Sequence, residues 1–211
     1  MMYTRLPFDT RRAVRHLRRV DPRLAKLMDR VGPLRMKLRP AGSPFEALLR
    51  AITYQQLSGK AAATIHGRLL GLFPGGPAPE RLLALPESDL RGAGLSRNKS
   101  LAARDLAAKT LEGSVPDFAV LARMTDDEAV ARLTVVRGIG RWSVEMLLIF
   151  TLGRPDVLPV DDLGIRKGFQ VAYGMRNLPA AVTLRRVARR WSPYRSVASW
   201  YLWRATDTLV P

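Results

Sequence analysis

The chain has 211 residues, enough for one large domain or two small lobes, and its 47% hydrophobic content permits a packed core and argues against disorder. It carries 35 Lys and Arg against 18 Asp and Glu, a net charge of +17 and a pI near 11.4. That balance favours polyanion partners, since each neutralised phosphate releases condensed counterions, although compositional drift toward Arg and Ala would give the same figure. The absence of cysteine excludes disulfides, thiol catalysis, thiolate zinc sites and iron–sulfur clusters. Two histidines, His16 and His66, cannot build a His-rich metal centre and read as ordinary helix-surface residues.

Helical periodicity dominates from the start. The opening MMYTRLPFDTRR runs into charge without an apolar segment, so no secretory leader is read there. Thr10 to Val20 and Pro22 to Val31 read as two short helices capped by Asp9 and Asp21. A Pro/Gly stretch from Gly32 to Pro44 precedes a helix over Phe45 to Leu57, and another follows from Lys60 to Phe73, stopped by Pro74-Gly75-Gly76-Pro77. Short helices opened by proline fit Pro79 to Leu85 and Pro86 to Ala93. A long one fits Leu95 to Glu112, with a break near Asn98, then Asp117 to Met124 and Asp126 to Leu133. After Gly138-Ile139-Gly140 come a helix over Arg141 to Leu152 and an extended Val157 to Val160. Helices near Leu163 to Tyr173, Pro179 to Trp191 and Tyr194 to Leu209 close the chain. The fold class is all-α. The longest apolar run, Trp142 to Leu152, contains Glu145 and is too short to cross a bilayer, so a cytoplasmic protein with no membrane partner is expected.

Two glycines between helices permit backbone angles that side chains forbid and a close approach to another backbone. At Arg137-Gly138-Ile139-Gly140-Arg141 the next helix starts at once, so its first amides point outward in a manner that suits a phosphate, with an arginine at each rim. A plain tight turn between helices would look the same.

The segment Leu133-Thr-Val-Val-Arg-Gly-Ile-Gly-Arg-Trp-Ser-Val-Glu-Met resembles the hairpin of the helix-hairpin-helix DNA glycosylases. About twenty residues on, Leu158-Pro159-Val160-Asp161-Asp162-Leu163-Gly164-Ile165-Arg166 resembles the Pro-and-Asp segment of that superfamily. Phe45 to Ser58 is similar to its intercalating-loop region, and Trp191-Ser-Pro-Tyr-Arg-Ser to the closing segment of the 3-methyladenine glycosylase II branch. The likeness covers roughly residues 40 to 208.

The resemblance implies a monofunctional glycosylase that flips alkylated purines out of duplex DNA and hydrolyses the glycosidic bond. It implies two helical lobes with a cleft between them: 45–150, carrying the wedge and the hairpin, and 1–44 plus 151–211, carrying the acid and a pocket tryptophan. DNA would lie across the cleft mouth. Gln56 and Leu57 would wedge the duplex with Gln55 nearer the base pocket, although the residues alone would equally suit a polar helix end. Trp142 and Trp203 would wall the pocket together with Met146 and Leu163. An N-alkylated purine is cationic, and an electron-rich indole attracts it by roughly 0.5–2 kcal/mol. Trp191 and Trp200 read as core.

Bond cleavage passes through an oxocarbenium-like sugar that a carboxylate stabilises. Asp161 and Asp162 are the candidates; the spacing to Ile165 selects Asp162, whereas the spacing from the proline would select Asp161. A helix N-terminus favours negative charge, so capping and catalysis are compatible in one residue. Arg137, Gly138, Ile139, Gly140, Arg141 and Ser143 would hold the DNA backbone, with Arg97, Asn98 and Lys99 as further phosphate contacts. Strand-nicking relatives use a lysine at or near the position of Trp142; no lysine lies between Lys109 and Lys167, so hydrolysis should leave an abasic site. No metal or organic cofactor is expected in the chemistry, a sodium or potassium ion is expected at the hairpin carbonyls when DNA is bound, and a monomer is expected. The residues before Phe45 are too few for the β-rich domain of larger members and should pack as helices with the C-terminal lobe. Met146 and Leu163 replace aromatics of some relatives, which points to a wider pocket. A non-catalytic hairpin module that recognises distorted duplex is the rival reading.

Overall fold

Short polar side chains and prolines set where the helices begin. In this computed structural model, which describes residues 5–209, Asp9 accepts from the backbone N–H groups of Arg11 and Arg12 and starts α1 (Thr10–Val20). Asp21 does the same for α2 (Pro22–Val31), where Pro22 occupies the first turn and costs no hydrogen bond. Ser43, Ser58, Ser96 and Asp117 cap α3 (Pro44–Tyr54), α4 (Gly59–Gly71), α7 (Arg97–Leu111) and α8 (Phe118–Arg123). Thr125 and Glu128 form a reciprocal capping box at α9 (Asp126–Leu133). The rest are α5 (Pro79–Ala84), α6 (Glu87–Gly92), α10 (Arg141–Phe150), α11 (Leu163–Tyr173), α12 (Ala181–Ala188), a single 3-10 turn at Arg189–Trp191, and α13 (Arg195–Leu209). The described residues are all helix, turn and loop, so the all-α reading holds, and none of these helices is long and apolar enough to cross a membrane.

Several boundaries differ from those the sequence suggests. The helix from Pro44 stops at Tyr54, three residues early, because Gln56 takes a left-handed backbone with φ +56°. Ser96 caps an unbroken α7, so there is no break at Asn98. Val157 to Pro159 has no regular secondary structure and a turn begins at Val160, while the helix expected from Pro179 starts at Ala181 and tightens into the 3-10 turn. The opening segment, read for a secretory leader, falls partly on residues 1–4, outside the described residues.

The described chain forms two compact units, residues 5–40 with 148–209, and residues 41–147. In the 41–147 unit, α7 packs against α3, α5 and α6. Its buried face, Ala102, Ala103, Leu106 and Ala107, is small enough to let its neighbours approach closely. Phe45, Leu48, Leu49 and Ile52 fill the space from α3, each buried large side chain contributing about 1.5–3 kcal/mol.

The other unit is built on the crossing of α11 with α13. Gly168 makes it possible: a Cβ there would lie 1.9 Å from the carbonyl oxygen of Leu202, closer than any side chain tolerates. Leu17, Leu24, Phe169, Trp191, Tyr201 and Leu202 surround the crossing. Asp21, also buried, would be costly as an isolated charge. Four donors satisfy it: Oδ1 accepts the N–H groups of Arg23 and Leu24, and Oδ2 accepts Trp191 Nε1–H at 2.8 Å and the Tyr173 hydroxyl. Burial and this carboxylate hold the Tyr173 phenol well above its ordinary pKa. Trp191 is thus a core residue with a polar anchor, as its sequence context suggests.

Candidate functional site

The loop between α3 and α4 and the hairpin both stand on α7. The C-terminal carbonyls of α3 lack helical partners, and Lys99 reaches across from α7 to cap them, its Nζ donating to Thr53 O at 2.7 Å and Gln55 O at 2.8 Å. Partial burial lowers the Lys99 pKa from its ordinary value. Lys99, read from the sequence as a phosphate contact, thus caps the end of α3. Beyond this cap Gln56 sits at the tip of a four-residue loop with Leu57 beside it, partly exposed, before Ser58 starts α4.

At the hairpin, Gly138 takes φ +76°, a left-handed backbone that a side chain would strain, close to Ala102 of α7. Asp105 of α7 accepts the Arg137 N–H at 2.7 Å, and Gln55 Nε2 donates to the Gly138 carbonyl at 2.8 Å. The wedge loop is therefore tied to the hairpin, with the Gln55 side chain on the hairpin backbone. The rim residues Arg137, Gly138, Gly140 and Arg141 are exposed, whereas Ile139 and Ser143 are buried and support the turn from within. Arg141 shares its charge with Asp127 at 3.1 Å and Glu145 at 3.8 Å. The first amides of α10 begin at Arg141, where the helix itself supplies no acceptors. One turn apart on α10, Trp142, half exposed, and Met146, half buried, share a face.

In the 5–40 and 148–209 unit, Asp162 caps α11, its Oδ1 accepting Ile165 N–H at 2.8 Å and Trp203 Nε1–H at 2.9 Å. Gly164 leaves room for that indole, since a Cβ would stand 3.0 Å from Trp203 Cδ1 and 3.1 Å from Asp162 Oδ1. The Phe150 ring lies on Trp203 at 5.6 Å between centroids. Asp161 is exposed in the preceding turn, and Leu163, at the first position of α11, is 54% exposed. The segment leading to Asp162 is braced by the start of α13. Asp156 takes the Arg195 guanidinium in a two-pronged pair at 2.9 Å and the Ser192 hydroxyl at 2.8 Å, while Ser196 Oγ accepts Val157 N–H and donates to Arg154 O. Burial opposes the Asp156 charge, but these donors outweigh it and hold the carboxyl below its ordinary pKa.

A glycine hairpin opening a helix, a polar wedge tied to it, and a capping Asp held by an indole are the parts a base-excising protein would use. The model of the HhH-GPD superfamily base excision DNA repair proteins matches residues 49–193. The chain belongs to this superfamily. Among its HhH-GPD relatives, Schizosaccharomyces pombe DNA-3-methyladenine glycosylase 1 is 35% identical over 194 residues, covering 90% of this chain and 85% of that protein. Escherichia coli DNA-3-methyladenine glycosylase 2 is 32% identical over 188 residues, covering 83% and 63%. The solved structure of S. pombe 3-methyladenine DNA glycosylase (Mag1) in complex with abasic DNA matches with a TM-score of 0.85 at 34% identity, over 94% of this chain and 98% of that one.

Sequence reasoning missed the contacts through which three residues shape the site. Lys99, Asp105 and Gly164 act through partners 32 to 46 positions away, and no local pattern announces such contacts. His66 also differs from expectation. It is 8% exposed, packs edge-on against Tyr54 at 5.8 Å, and its pKa is lowered by burial and by Arg50.

Proposed function

We propose that this chain is a monofunctional DNA glycosylase that hydrolyses the N-glycosidic bond of alkylated purines, of the 3-methyladenine and 7-methylguanine type, in duplex DNA. The product is an abasic site that enters base excision repair. The observation that carries the reading is Asp162 fixed at the start of α11 by Trp203 Nε1–H, in a chain so similar to a glycosylase solved on abasic DNA.

Each part then has a role. The hairpin 137–141 grips the phosphates through its exposed rim and the first amides of α10. Gln56 and Leu57 fill the gap left by the flipped nucleotide, and Gln55 couples that wedge to the grip. Leu163 and Trp203 meet the base beside Asp162, and its positive charge suits the indole. As the base departs, the Asp162 carboxylate stabilises the cationic sugar that water then attacks. Asp161, exposed and one residue earlier, is the alternative acid. Trp142 stands where strand-nicking relatives carry a lysine, so no Schiff base forms. The carbonyls of Val136 and Gly138 each accept one hydrogen bond, from Ile139 N–H and Gln55 Nε2. Each keeps a second lone pair, which fits a sodium or potassium ion at the hairpin when DNA is bound. The protein acts as a monomer beside cytoplasmic DNA.

The test is single-turnover release of 3-methyladenine by wild type and Asp162→Asn at matched DNA occupancy. Asparagine keeps an oxygen for Ile165 and Trp203, so the fold survives while the charge is lost. Release should fall about 100-fold or more with binding retained. Full activity in the variant moves the role to Asp161, and wild type that binds without releasing base makes the chain a binding module.

A further inference from the structure

The net charge is distributed very unevenly. Residues 1–40 and 148–211 hold 22 of the 35 Lys and Arg and 7 of the 18 Asp and Glu, a net +15. Residues 41–147, which include the hairpin, hold 13 and 11, a net +2. The phosphate grip of the proposed function therefore uses almost none of the excess charge, which is concentrated in the unit that carries Asp162 and Trp203.

Much of it gathers on one face. His16 Nε2 lies 3.2 Å from the Arg190 carbonyl, which fixes α1 against the 3-10 turn. Arg12 and Arg19, four residues before and three after His16, flank that contact on α1. Arg189 and Arg190 come from the turn, and Arg186 stands one helical turn ahead of them. Arg23, at the start of α2, lines a shallow pocket with Tyr173, Val187 and Arg190. All six arginines are exposed, and among the described residues no carboxylate pairs with any of them. Asp9 accepts the Arg12 backbone N–H at the start of α1, and Asp21, beside Arg23, is buried and committed to its four donors. Tyr173 ends α11, about 16 Å along the helix from Asp162 at its other end.

We propose that this arginine face is a second phosphate-binding surface for duplex DNA, separate from the site around Asp162. An unneutralised cluster of guanidiniums is unfavourable to the folded unit through self-repulsion, and a polyanion removes that cost. Arg12 and Arg19 span about 10 Å of α1, comparable to the rise along the duplex axis of about three nucleotides at 3.4 Å each. Guanidinium forks bind phosphate oxygens in pairs, so an all-arginine face suits this ligand better than lysine would. The surface raises non-specific affinity and holds the enzyme on undamaged duplex while it searches. The choice of DNA as the polyanion rests on the glycosylase reading; the face itself does not.

The experiment compares wild type with Arg12→Gln/Arg19→Gln/Arg189→Gln, and with Arg68→Gln/Arg91→Gln/Arg123→Gln, which removes equal charge from exposed positions of the 41–147 unit. Binding of an undamaged fluorescent 30-mer duplex is titrated across salt, thermal melting checks folding, and excision is measured at saturating enzyme. The face triple should flatten the plot of log K against log salt by about 2 to 3 and weaken binding tenfold or more, at unchanged saturated excision. The control triple should flatten it by less than 1. An unchanged slope in the face triple, or equal flattening in the control, overturns the proposal. Wild type that releases no alkylated base while the face triple still loses slope refutes the glycosylase reading alone. Active wild type whose slope survives the face triple refutes the surface alone.

Discussion

Gly168→Ala tests the packing that presents Asp162. A methyl group on Gly168 would lie 1.9 Å from the Leu202 carbonyl oxygen and 2.6 Å from its carbon. Both obstacles are backbone, so no rotamer change relieves them, and α11 must move from α13 by about 1 Å. That movement opens the contacts of Ile165 and Phe169 with Val197, Tyr201 and Leu202. Overpacking of a fixed core costs about 1–3 kcal/mol, and a backbone obstacle belongs at the upper end. Alanine returns about 1 kcal/mol through helix propensity. The net loss of about 2 kcal/mol should lower Tm by about 4–8 °C in a chain of this size. Base release should fall as well, because the Asp162 end of α11 moves with the helix. Gly164→Ala meets side-chain atoms at 3.0 Å and 3.1 Å instead, so it should disturb release more than Tm. An unchanged or raised Tm in Gly168→Ala, by differential scanning fluorimetry and urea unfolding, would refute this account of the crossing.

Other outcomes follow from the same geometry. Lys99→Met leaves the Thr53 and Gln55 carbonyls without their charged donor, so urea unfolding should show a loss of about 2 kcal/mol. An unchanged midpoint would mean that the cap contributes nothing. Gln56→Gly relieves a positive φ and should leave stability equal or higher by up to about 1 kcal/mol while base release falls; retained release would remove Gln56 from the wedge. Burial lowers the His66 pKa, so the unfolded chain takes up the proton first. Stability should therefore drop as pH falls below the unfolded value of 6.5, and less so in His66→Gln. Equal pH dependence in both proteins would contradict this.

The sequence carried the elements whose causes are local. Asp9 and Asp21 announce helix starts because a cap acts on amides two or three residues ahead. The Gly138 turn was legible because only glycine takes φ +76° without strain. The end of α3 was not, since Gln56 adopts a positive φ where no glycine marks it. Lys99 reads as a basic helix start until the end of α3, more than 40 residues away, is placed beside it. Gly164 and Gly168 are unremarkable in α11 alone and acquire meaning only when α13 is laid across them. The tryptophans divide in the same way: Trp191 finds Asp21 in the core, and Trp203 finds Asp162, through hydrogen bonds spanning 170 and 41 positions.

The most direct test of the central claim is a product balance on duplex DNA carrying N-alkylated purines. Free 3-methyladenine is quantified by chromatography and alkali-labile sites by gel, from the same reaction. The account predicts equal amounts of released base and abasic site, with the strand intact until alkali is added. Binding without base release, or strand cleavage before alkali, would contradict it.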